Sequence, residues 1–337
     1  MSDKRFRKIL LVRWGGLGDV ALCSALFEDI HRHYPDAELH LNVEPPWCQL
    51  FENDPRFEKL FVQRVRKVAR LESASTWLRM LREERYDLVI DLQSNDRSRL
   101  YLTLAVFLGI APKYRVGMKS SFPYNLPCGY VDPFIYAFNC YQAPLEGLGV
   151  GLKSDRPVFY LPTQASDEAK EILERNCLVQ KDYVVLVPGS SAAGKDKRWG
   201  TENYIQLGKK LLDGGVEKIV IVGSGDEQNV CSAVTEGIGD KAINLCNQTS
   251  LCVIPLLADA AKAIISNDTG VAHVAAAAST PIWVICGPTR AERVKPLGNH
   301  VRWFQIDPEC FVDHFSEQCM AKLAPEEVAC TVLAELN

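Results

Sequence analysis

The sequence predicts an α/β protein built from two Rossmann-like domains, each with a parallel sheet. The chain has 337 residues, too many for one ordinary core and suited to two domains of roughly 150 residues each. Short runs rich in Val, Ile and Leu alternate with amphipathic stretches, a pattern typical of parallel strands joined by crossover helices. Glycine-rich turns follow the strands, and open α/β sheets bind ligands at their carboxyl ends. We therefore expect two domains that face a central cleft.

The first domain is predicted to span residues 1–160. Its elements are a strand Lys8–Arg13, a helix Val20–Tyr34 that ends at Pro35, a strand Glu38–Val43, a helix Thr76–Arg85 and a strand Tyr86–Leu92. Residues 115–133 are instead rich in Gly, Pro, Ser and aromatic residues. That composition predicts a loop at the rim of a site or a binding face.

The second domain is predicted to span residues 161–320, after a linker that contains Pro157 and Pro162. Its elements are a helix Ser166–Asn176, a strand Tyr183–Val187, a helix Thr201–Leu212, a strand Lys218–Val222, a strand Ala263–Ser266, an alanine-rich helix after Gly270, and a strand near Pro281–Gly287. Residues 321–337 form a separate C-terminal helix, Pro325–Leu336, which begins with Pro and two glutamates, as helices often do. Packing of this helix against the N-terminal domain is one option.

Composition and charge exclude several functional classes. The net charge of −4 argues against general nucleic-acid binding. No apolar run reaches the ~18–20 residues that span a bilayer, and Ile9–Val12 is too short for the core of a signal peptide. We therefore expect a cytoplasmic protein. The twelve cysteines are scattered without a Cys-x-x-Cys pair, and Cys310 and Cys319 with His314 lack a fourth ligand, so no metal site is predicted.

A basic stretch runs from Arg64 to Arg85. It contributes to an excess of positive charge in residues 1–160, which carry 22 Lys and Arg against 19 Asp and Glu, whereas the remainder carries 16 against 23. One interpretation is a solvated helix face. The other is a patch that meets an anionic acceptor or a membrane surface, with Arg64, Arg66 and Lys67 on the acceptor side.

The first glycine-rich turn is Gly15-Gly-Leu-Gly-Asp19, between the first strand and the first helix. Gly16 and Gly18 would let the backbone approach an acceptor closely. The turn is neither the dinucleotide-binding Gly-x-Gly-x-x-Gly nor a P-loop. Asp19 is either a capping carboxylate or a general base that takes a proton from an acceptor hydroxyl.

The second turn is Asp268-Thr-Gly-Val-Ala-His273, at another junction of strand and helix. Asp268 or Thr269 alone would serve as a helix cap, but capping does not require the whole motif. A diphosphate bound here would accept hydrogen bonds from backbone N–H groups at the start of the helix. The motif therefore predicts a diphosphate site.

Two further loops follow strands of the second domain. The loop from Pro188 to Gly200 is small and basic, and Lys195, Lys197 or Arg198 could contact a phosphate, although surface lysines are usually only solvated. In the loop Gly223-Ser-Gly-Asp-Glu227, a carboxylate could bind ribose hydroxyls or could cap the helix.

These motifs, in this order, resemble glycosyltransferase family 9, which contains the ADP-heptose:lipopolysaccharide heptosyltransferases. The resemblance is carried by Arg13-x-Gly-x-Leu-Gly-Asp19, Tyr86-Asp-Leu-Val-Ile-Asp-Leu-Gln93, Pro188-Gly with Lys197-Arg-Trp199, Asn267-Asp-Thr-Gly-x-x-His273, Gly287-Pro-Thr289 and Cys319-Met-x-x-Leu-x-Pro-Glu-Glu-Val328. It spans nearly the whole chain and implies a GT-B fold with the acceptor on the N-terminal side and the donor mainly on the C-terminal side. Two positions depart from the family pattern: Gly200 stands where proline is usual, and the C-terminal cysteine cluster is incomplete.

The resemblance implies an inverting enzyme that transfers heptose from ADP-heptose to a lipopolysaccharide core acceptor without an obligatory metal or cofactor. Asp19 would be the catalytic base. The donor would be bound by Ser190, Lys197, Glu227, Asp268, Thr269, Gly270 and His273. The other expected partner is an anionic glycolipid acceptor, reached by peripheral contact with the inner face of the cytoplasmic membrane.

Three other functions compete with this one. A related enzyme would use another nucleotide-sugar to build a different surface glycan. A non-catalytic protein would bind a nucleotide-sugar on the same two-lobed frame, against which Asp19 and Lys197 argue. A nucleotide-dependent oxidoreductase is disfavoured because neither half carries the expected glycine fingerprint.

Overall fold

A computed structural model describes residues 6–65, 70–130, 132, 136–313 and 316–336. The chain divides into two compact units, Met1–Leu161 and Pro162–Asn337. Each unit contains its own parallel sheet, so the predicted class, two Rossmann-like α/β domains, is confirmed.

The first unit contains a five-stranded sheet in the order β3-β2-β1-β4-β5. Its strands are β1 (Lys8–Val12), β2 (Glu38–Val43), β3 (Lys59–Val62), β4 (Leu88–Asp91) and β5 (Tyr114–Gly117). Its helices are α1 (Leu17–His33), α2 (Arg70–Glu84), α3 (Asp96–Phe107) and α4 (Ala137–Leu148). Neighbouring strands are all parallel, with Ile9 of β1 opposite both Leu39 of β2 and Leu88 of β4.

The centre of this unit is buried on every side. Four consecutive residues of β1, from Ile9 to Val12, have no exposed surface, as expected for a central parallel strand covered on both faces. Helix α1 is buried without interruption from Val20 to Ile30. A helix that is surrounded by protein has no polar face, so its sequence shows little amphipathic pattern.

The second unit contains a six-stranded parallel sheet in the order β11-β10-β9-β6-β7-β8. Its strands are β6 (Tyr183–Val187), β7 (Lys218–Ile221), β8 (Ala242–Asn244), β9 (Ala263–Asn267), β10 (Ile282–Cys286) and β11 (Val301–Gln305). Its helices are α5 (Thr163–Arg175), α6 (Thr201–Asp213), α7 (Gln228–Ile238), α8 (Ile254–Ala260), α9 (Gly270–Ala275), α10 (Ala291–Val294), α11 (Cys310–Asp313), α12 (Ser316–Met320) and α13 (Pro325–Leu336).

The C-terminal helix α13 packs on α6 of the second unit. Val328 and Val332 join the core of that unit, and Lys210 of α6 pairs with Glu326 at 2.7 Å. Gly214, just after α6, leaves room for Leu333, because a side chain there would collide with it. The buried face of α13 thus packs against the second unit to which the helix belongs.

Gly200, where the family pattern usually has proline, precedes α6. It has a φ of 110°, which proline cannot adopt because its ring holds φ near −65°. The local backbone of this chain therefore depends on the glycine.

Each sheet has one topological switch point, where strands that follow one another in the chain stop being added on one side of the sheet and begin to be added on the other. In the first unit this point lies between β1 and β4, and in the second unit it lies between β6 and β9. The loops that leave the two strands diverge there and open a crevice at their carboxyl ends, where α/β sheets bind ligands. The motifs that follow β1, β6 and β9 are therefore placed at the ligand-binding ends of the sheets.

A cluster of charged residues lies at the opposite end of the first sheet. Glu84, at the end of α2, accepts hydrogen bonds from Lys8 at 2.6 Å and Lys59 at 2.5 Å. His40 contacts Glu38 at 2.7 Å. Glu38, His40 and Glu84 are close enough together to bind a metal ion, but the two lysines already neutralise the carboxylates. We interpret the cluster as an ion-pair network.

This cluster predicts acid sensitivity. Burial disfavours ionised Glu84, but the bonds from Lys59 and Lys8 outweigh it and lower the pKa of Glu84 from 4.5 to about 2. Burial also lowers the pKa of His40 below 6.5. Groups whose pKa is lower in the folded state stabilise it above the unfolded-state pKa and lose that contribution as the pH falls. The free energy of unfolding should therefore decline below pH 6.5 and decline further between pH 4.5 and 2.

Urea unfolding at a series of pH values tests this expectation. Glu84→Gln should flatten the decline below pH 4.5, because the titrating group is removed. Glu236→Gln, at an exposed position of α7, is the matched control and should leave the curve unchanged. Equal slopes for both variants would show that Glu84 does not govern acid stability.

Candidate active site

Asp19 lies in the first turn of α1, just beyond the carboxyl end of β1. Its Oδ1 accepts a hydrogen bond from the Tyr141 hydroxyl at 2.7 Å, and its Oδ2 pairs with Arg13 at 2.7 Å. The residue that caps α1 is Gly16, without a side-chain hydrogen bond. The capping alternative for Asp19 is therefore not what the structure shows: its carboxylate is held between two side chains.

Arg13 is itself rigidly placed. Its guanidinium donates to the carbonyl oxygens of Leu92 at 2.7 Å and Gly15 at 3.0 Å, and it lies over the Tyr141 ring at 4.7 Å. Only 4% of the Arg13 side chain is exposed, against 39% for Asp19. The Asp19 carboxylate is therefore accessible to solvent, while the Arg13 guanidinium that pairs with it is buried.

Tyr141 and Gly16 complete this arrangement. Burial raises the pKa of the Tyr141 hydroxyl, so the hydroxyl stays protonated and donates to Asp19. Gly16 has a φ of 73°, and a Cβ there would collide with the Asp19 carboxylate. Gly16 therefore admits the carboxylate, while Gly18 lies within the first turn of α1 and is partly exposed.

Two of these residues were not among the predicted site residues. Arg13 belongs to the first motif, but its partner was not evident from spacing. Tyr141 lies on α4, 122 positions from Asp19 in sequence, and no local pattern connects the two.

The predicted acceptor-side cations are only partly described by the structure. Arg64 is exposed, just after β3. Arg66 and Lys67 lie outside the described residues.

Asn267 organises the corresponding crevice of the second unit. This residue ends β9 and is fully buried. Its amide nitrogen donates to the carbonyl oxygens of Pro188 and Gly189, and its Oδ1 accepts from the Trp199 backbone and the Tyr204 hydroxyl. One side chain thereby connects the ends of β6 and β9 with the start of α6. Asn267 belongs to the motif Asn267-Asp-Thr-Gly-x-x-His273 but is not among the predicted site residues.

Lys197 and Asp268, two of the predicted donor-binding residues, are in direct contact. Lys197 Nζ lies 2.7 Å from Asp268 Oδ2, and the Thr289 hydroxyl donates to the same oxygen at 2.8 Å. Asp268 is almost fully buried, whereas 28% of the Lys197 side chain is exposed. The structure therefore presents an accessible ammonium group whose position is set by a buried carboxylate.

Ser190 shapes the loop that carries Lys197. Its hydroxyl donates to the Gly194 carbonyl at 2.7 Å and accepts from Arg198 Nε at 3.1 Å. Arg198 also donates to the Ser190 carbonyl at 2.7 Å. The Ser190 hydroxyl and Arg198 therefore form their hydrogen bonds within the loop. Lys197 instead contacts Asp268, outside the loop.

The rest of the second motif surrounds this pair. Thr269 is the N-cap residue of α9, without a side-chain capping bond, and Gly270 is the first residue of that helix. Thr269 and Gly270 are partly exposed, whereas His273 is buried on α9.

Glu227 closes a capping box. Its Oε2 accepts from the Ser224 backbone at 2.6 Å and from the Ser224 hydroxyl at 3.0 Å. The second carboxylate oxygen lies beside Gly189, where any side chain in place of Gly189 would collide with it. The capping interpretation accounts for one oxygen, and the other lies beside Gly189 at the end of β6.

A disulfide-bonded segment packs behind the Lys197 loop. Cys310 and Cys319 form a disulfide, which the sequence alone does not predict because cysteine spacing does not determine pairing. Ser316 within this segment donates to the Asp196 carbonyl at 2.5 Å. Met320 and Phe311 lie against Gly287, where a Cβ would collide with them. The segment thus supports the loops that carry Lys197 and Thr289.

Comparison with known proteins identifies the family. The family model described as glycosyltransferase family 9 (heptosyltransferase) matches residues 75–324. The chain belongs to this family. It is therefore a glycosyltransferase, and the resemblance stated on the sequence motifs is confirmed. The matched region includes the loops that carry Ser190, Lys197, Glu227 and Asp268.

Two curated heptosyltransferases are similar to this chain along most of its length. Lipooligosaccharide heptosyltransferase 2 of Haemophilus ducreyi is 28% identical over 309 residues, which cover 86% of each chain. Lipopolysaccharide heptosyltransferase 2 of Escherichia coli is 24% identical over 318 residues, 89% of this chain and 88% of the other. Among solved structures, the E. coli heptosyltransferase WaaC, determined with ADP, matches with a TM-score of 0.73 at 19% identity, covering 98% of this chain and all of that one (100%). This last likeness shows a common fold.

Proposed function

We propose that this family 9 enzyme transfers heptose from ADP-heptose to a lipopolysaccharide core acceptor, with inversion at the anomeric carbon. The observation that carries the proposal is the Asp19 carboxylate, accessible to solvent and held by Arg13 and Tyr141. A carboxylate in that setting is suited to take a proton from a hydroxyl. The names of the curated relatives support heptose as the sugar, and the ADP in the WaaC structure supports the nucleotide.

The proposed step is a single displacement. The acceptor oxygen forms a bond to the anomeric carbon while its proton passes to Asp19. The bond between the anomeric carbon and the diphosphate oxygen breaks, and its electron pair leaves with ADP. Positive charge develops on the sugar ring in the transition state. Arg13 and Tyr141 keep Asp19 in one orientation, which lowers the entropy that must be lost to reach the reactive geometry.

Lys197 is proposed to stabilise the negative charge that develops on the departing ADP. Helix α9 is only six residues long, so we assign most of this charge stabilisation to the ammonium group. Asp268 would repel a diphosphate but can accept hydrogen bonds from sugar hydroxyls, so we assign it to the sugar and to the position of Lys197. Thr269, Gly270 and His273 remain proposed donor contacts, as do Ser190 and the second oxygen of Glu227.

The acceptor side is proposed to consist of Gly16, Gly18 and the cations Arg64, Arg66 and Lys67. They would bind the anionic part of a glycolipid at the inner face of the cytoplasmic membrane, which the enzyme would reach by peripheral contact. No helix among the described residues is long and apolar enough to cross a bilayer. With Lys197 as the cation at the leaving group, we expect transfer to continue in EDTA.

Calorimetry with the purified enzyme tests the donor. ADP, UDP and GDP are titrated first, followed by ADP-heptose. Preference for ADP and tighter binding of ADP-heptose are the expected results. Preference for UDP or GDP would assign the enzyme to another nucleotide-sugar. The non-catalytic alternative would be favoured if the protein binds a sugar donor but does not turn it over in the presence of core glycolipid.

A further inference from the structure

Helix α3 presents an apolar face to solvent. Its buried side is formed by Ser98, Tyr101, Leu102 and Ala105, while its other side carries Leu100, Leu104 and Phe107, with Leu108 immediately after it. Phe107 is 80% exposed and Leu108 is 62% exposed. We call these four residues, together with Phe122, the α3 apolar face. Exposed apolar side chains that are contiguous in this way usually mark an interaction site.

The loop after β5 extends this face. The ring of Phe122, itself 54% exposed, lies 6.2 Å from that of Phe107. Arg99 on α3 donates to the Phe122 carbonyl at 3.0 Å and to the Ser121 hydroxyl at 3.2 Å. The helix and the loop therefore form one surface. The loop falls within residues 115–133, whose composition predicted a loop at the rim of a site or a binding face.

The segment that carries this surface is mainly basic, with Asp96 at the start of α3 as its exposed acidic residue. From residue 97 to residue 131 the sequence contains no Asp or Glu, and its cations are Arg97, Arg99, Lys113, Arg115 and Lys119. Lys113 and Lys119 are exposed. An apolar face on a segment with exposed lysines matches the surface of an anionic bilayer, in which apolar side chains enter the acyl boundary and lysines contact the headgroups.

We propose that the α3 apolar face, with Lys113 and Lys119, is the surface by which this enzyme docks on an anionic lipid membrane. A second copy of the chain is a poorer occupant, because a symmetric contact would bring the same cations together. The inference rests on the proposed function in one respect: the proposed function identifies the membrane as one that carries the glycolipid acceptor. Binding to the bilayer itself requires neither donor nor acceptor.

Vesicle sedimentation with the full-length protein tests the proposal. The protein should bind phosphatidylcholine vesicles that contain phosphatidylglycerol, bind pure phosphatidylcholine vesicles much less, and dissociate as salt is added. Leu108→Ser should lower the partition coefficient by about tenfold or more, because one buried leucine side chain is lost from the contact. Val179→Ser is the matched control, since Val179 is also 62% exposed but lies in the second unit.

A second pair of variants tests the charges. Lys119→Gln should lower the partition coefficient about fivefold, in line with the contribution of one lysine near an anionic membrane, whereas Lys209→Gln on the exposed side of α6 should not. No binding to anionic vesicles, or equal binding by Leu108→Ser and Val179→Ser, would overturn the proposal. So would a dimer in sedimentation velocity that only Leu108→Ser dissociates. Vesicles without donor or acceptor keep a failure here separate from a failure of sugar transfer.

Discussion

Asp19→Asn is expected to lower kcat by about a thousandfold, within the usual range for loss of a general base. The amide keeps the shape of the carboxylate and retains an oxygen for the Tyr141 hydroxyl, but it does not take a proton from the acceptor. Donor affinity should be unchanged, since Lys197 and Asp268 belong to the second unit. Steady-state kinetics and calorimetry with ADP-heptose measure the two quantities.

The control for this variant concerns Arg13. Removal of the Asp19 charge leaves a buried guanidinium without its carboxylate partner, which destabilises a fold. Urea unfolding should therefore accompany the kinetics, and rates should be compared where both proteins are fully folded. Asp19→Glu keeps the charge but displaces it by one methylene, and should retain more activity than Asp19→Asn. A folded Asp19→Asn protein with normal kcat would remove Asp19 from the catalytic role.

Lys197→Ala should weaken ADP-heptose binding by about a hundredfold, as expected for the loss of a charge-assisted hydrogen bond to phosphate. The effect has a second source: Asp268, now without its ion pair, adds a negative charge near the diphosphate. Lys195→Ala is the matched control, because Lys195 is an exposed lysine of the same loop. Calorimetry should show little change for that variant.

A double-mutant cycle separates the two sources. If Asp268 repels the diphosphate once Lys197 is absent, Asp268→Asn should restore part of the affinity of Lys197→Ala, so that the two effects are not additive. Independent losses would instead indicate that Asp268 contacts the donor separately. Donor affinity in Lys197→Ala equal to that of the unaltered enzyme would reject the phosphate-binding role.

The sequence was most informative where local chemistry determines structure. The boundaries predicted for β2, β6 and α13 agree with the structure at both ends. The alternating apolar residues of β2, the continuous apolar run of β6 and the Pro-Glu-Glu start of α13 are all local signals. Helix α3 was not predicted. Its exposed apolar face contradicts the usual pattern of a surface helix, which periodicity arguments assume.

The candidate site shows the same division. Asp19, Lys197 and Asp268 each stand beside a turn that follows a strand. Motif spacing indicated Asp19 and Asp268, whereas the basic loop left Lys195, Lys197 and Arg198 open and the family resemblance selected Lys197. Their partners were not accessible in this way: Tyr141 comes from a distant helix, and Lys197 and Asp268 are 71 residues apart in sequence. Only the sheet order, which places β6 beside β9, explains why the two loops meet.

The sequence by itself determined the two α/β domains, the family, and the residue types at the ends of the strands. Only the tertiary structure decided which of these carboxylates takes part in a helix cap. It directed the Asp19 carboxylate to Arg13 and Tyr141, whereas it placed one Glu227 oxygen in a capping box. The physical reason is that both interpretations require the same residue types in the same local pattern. The choice depends on groups brought within hydrogen-bonding distance by long-range packing.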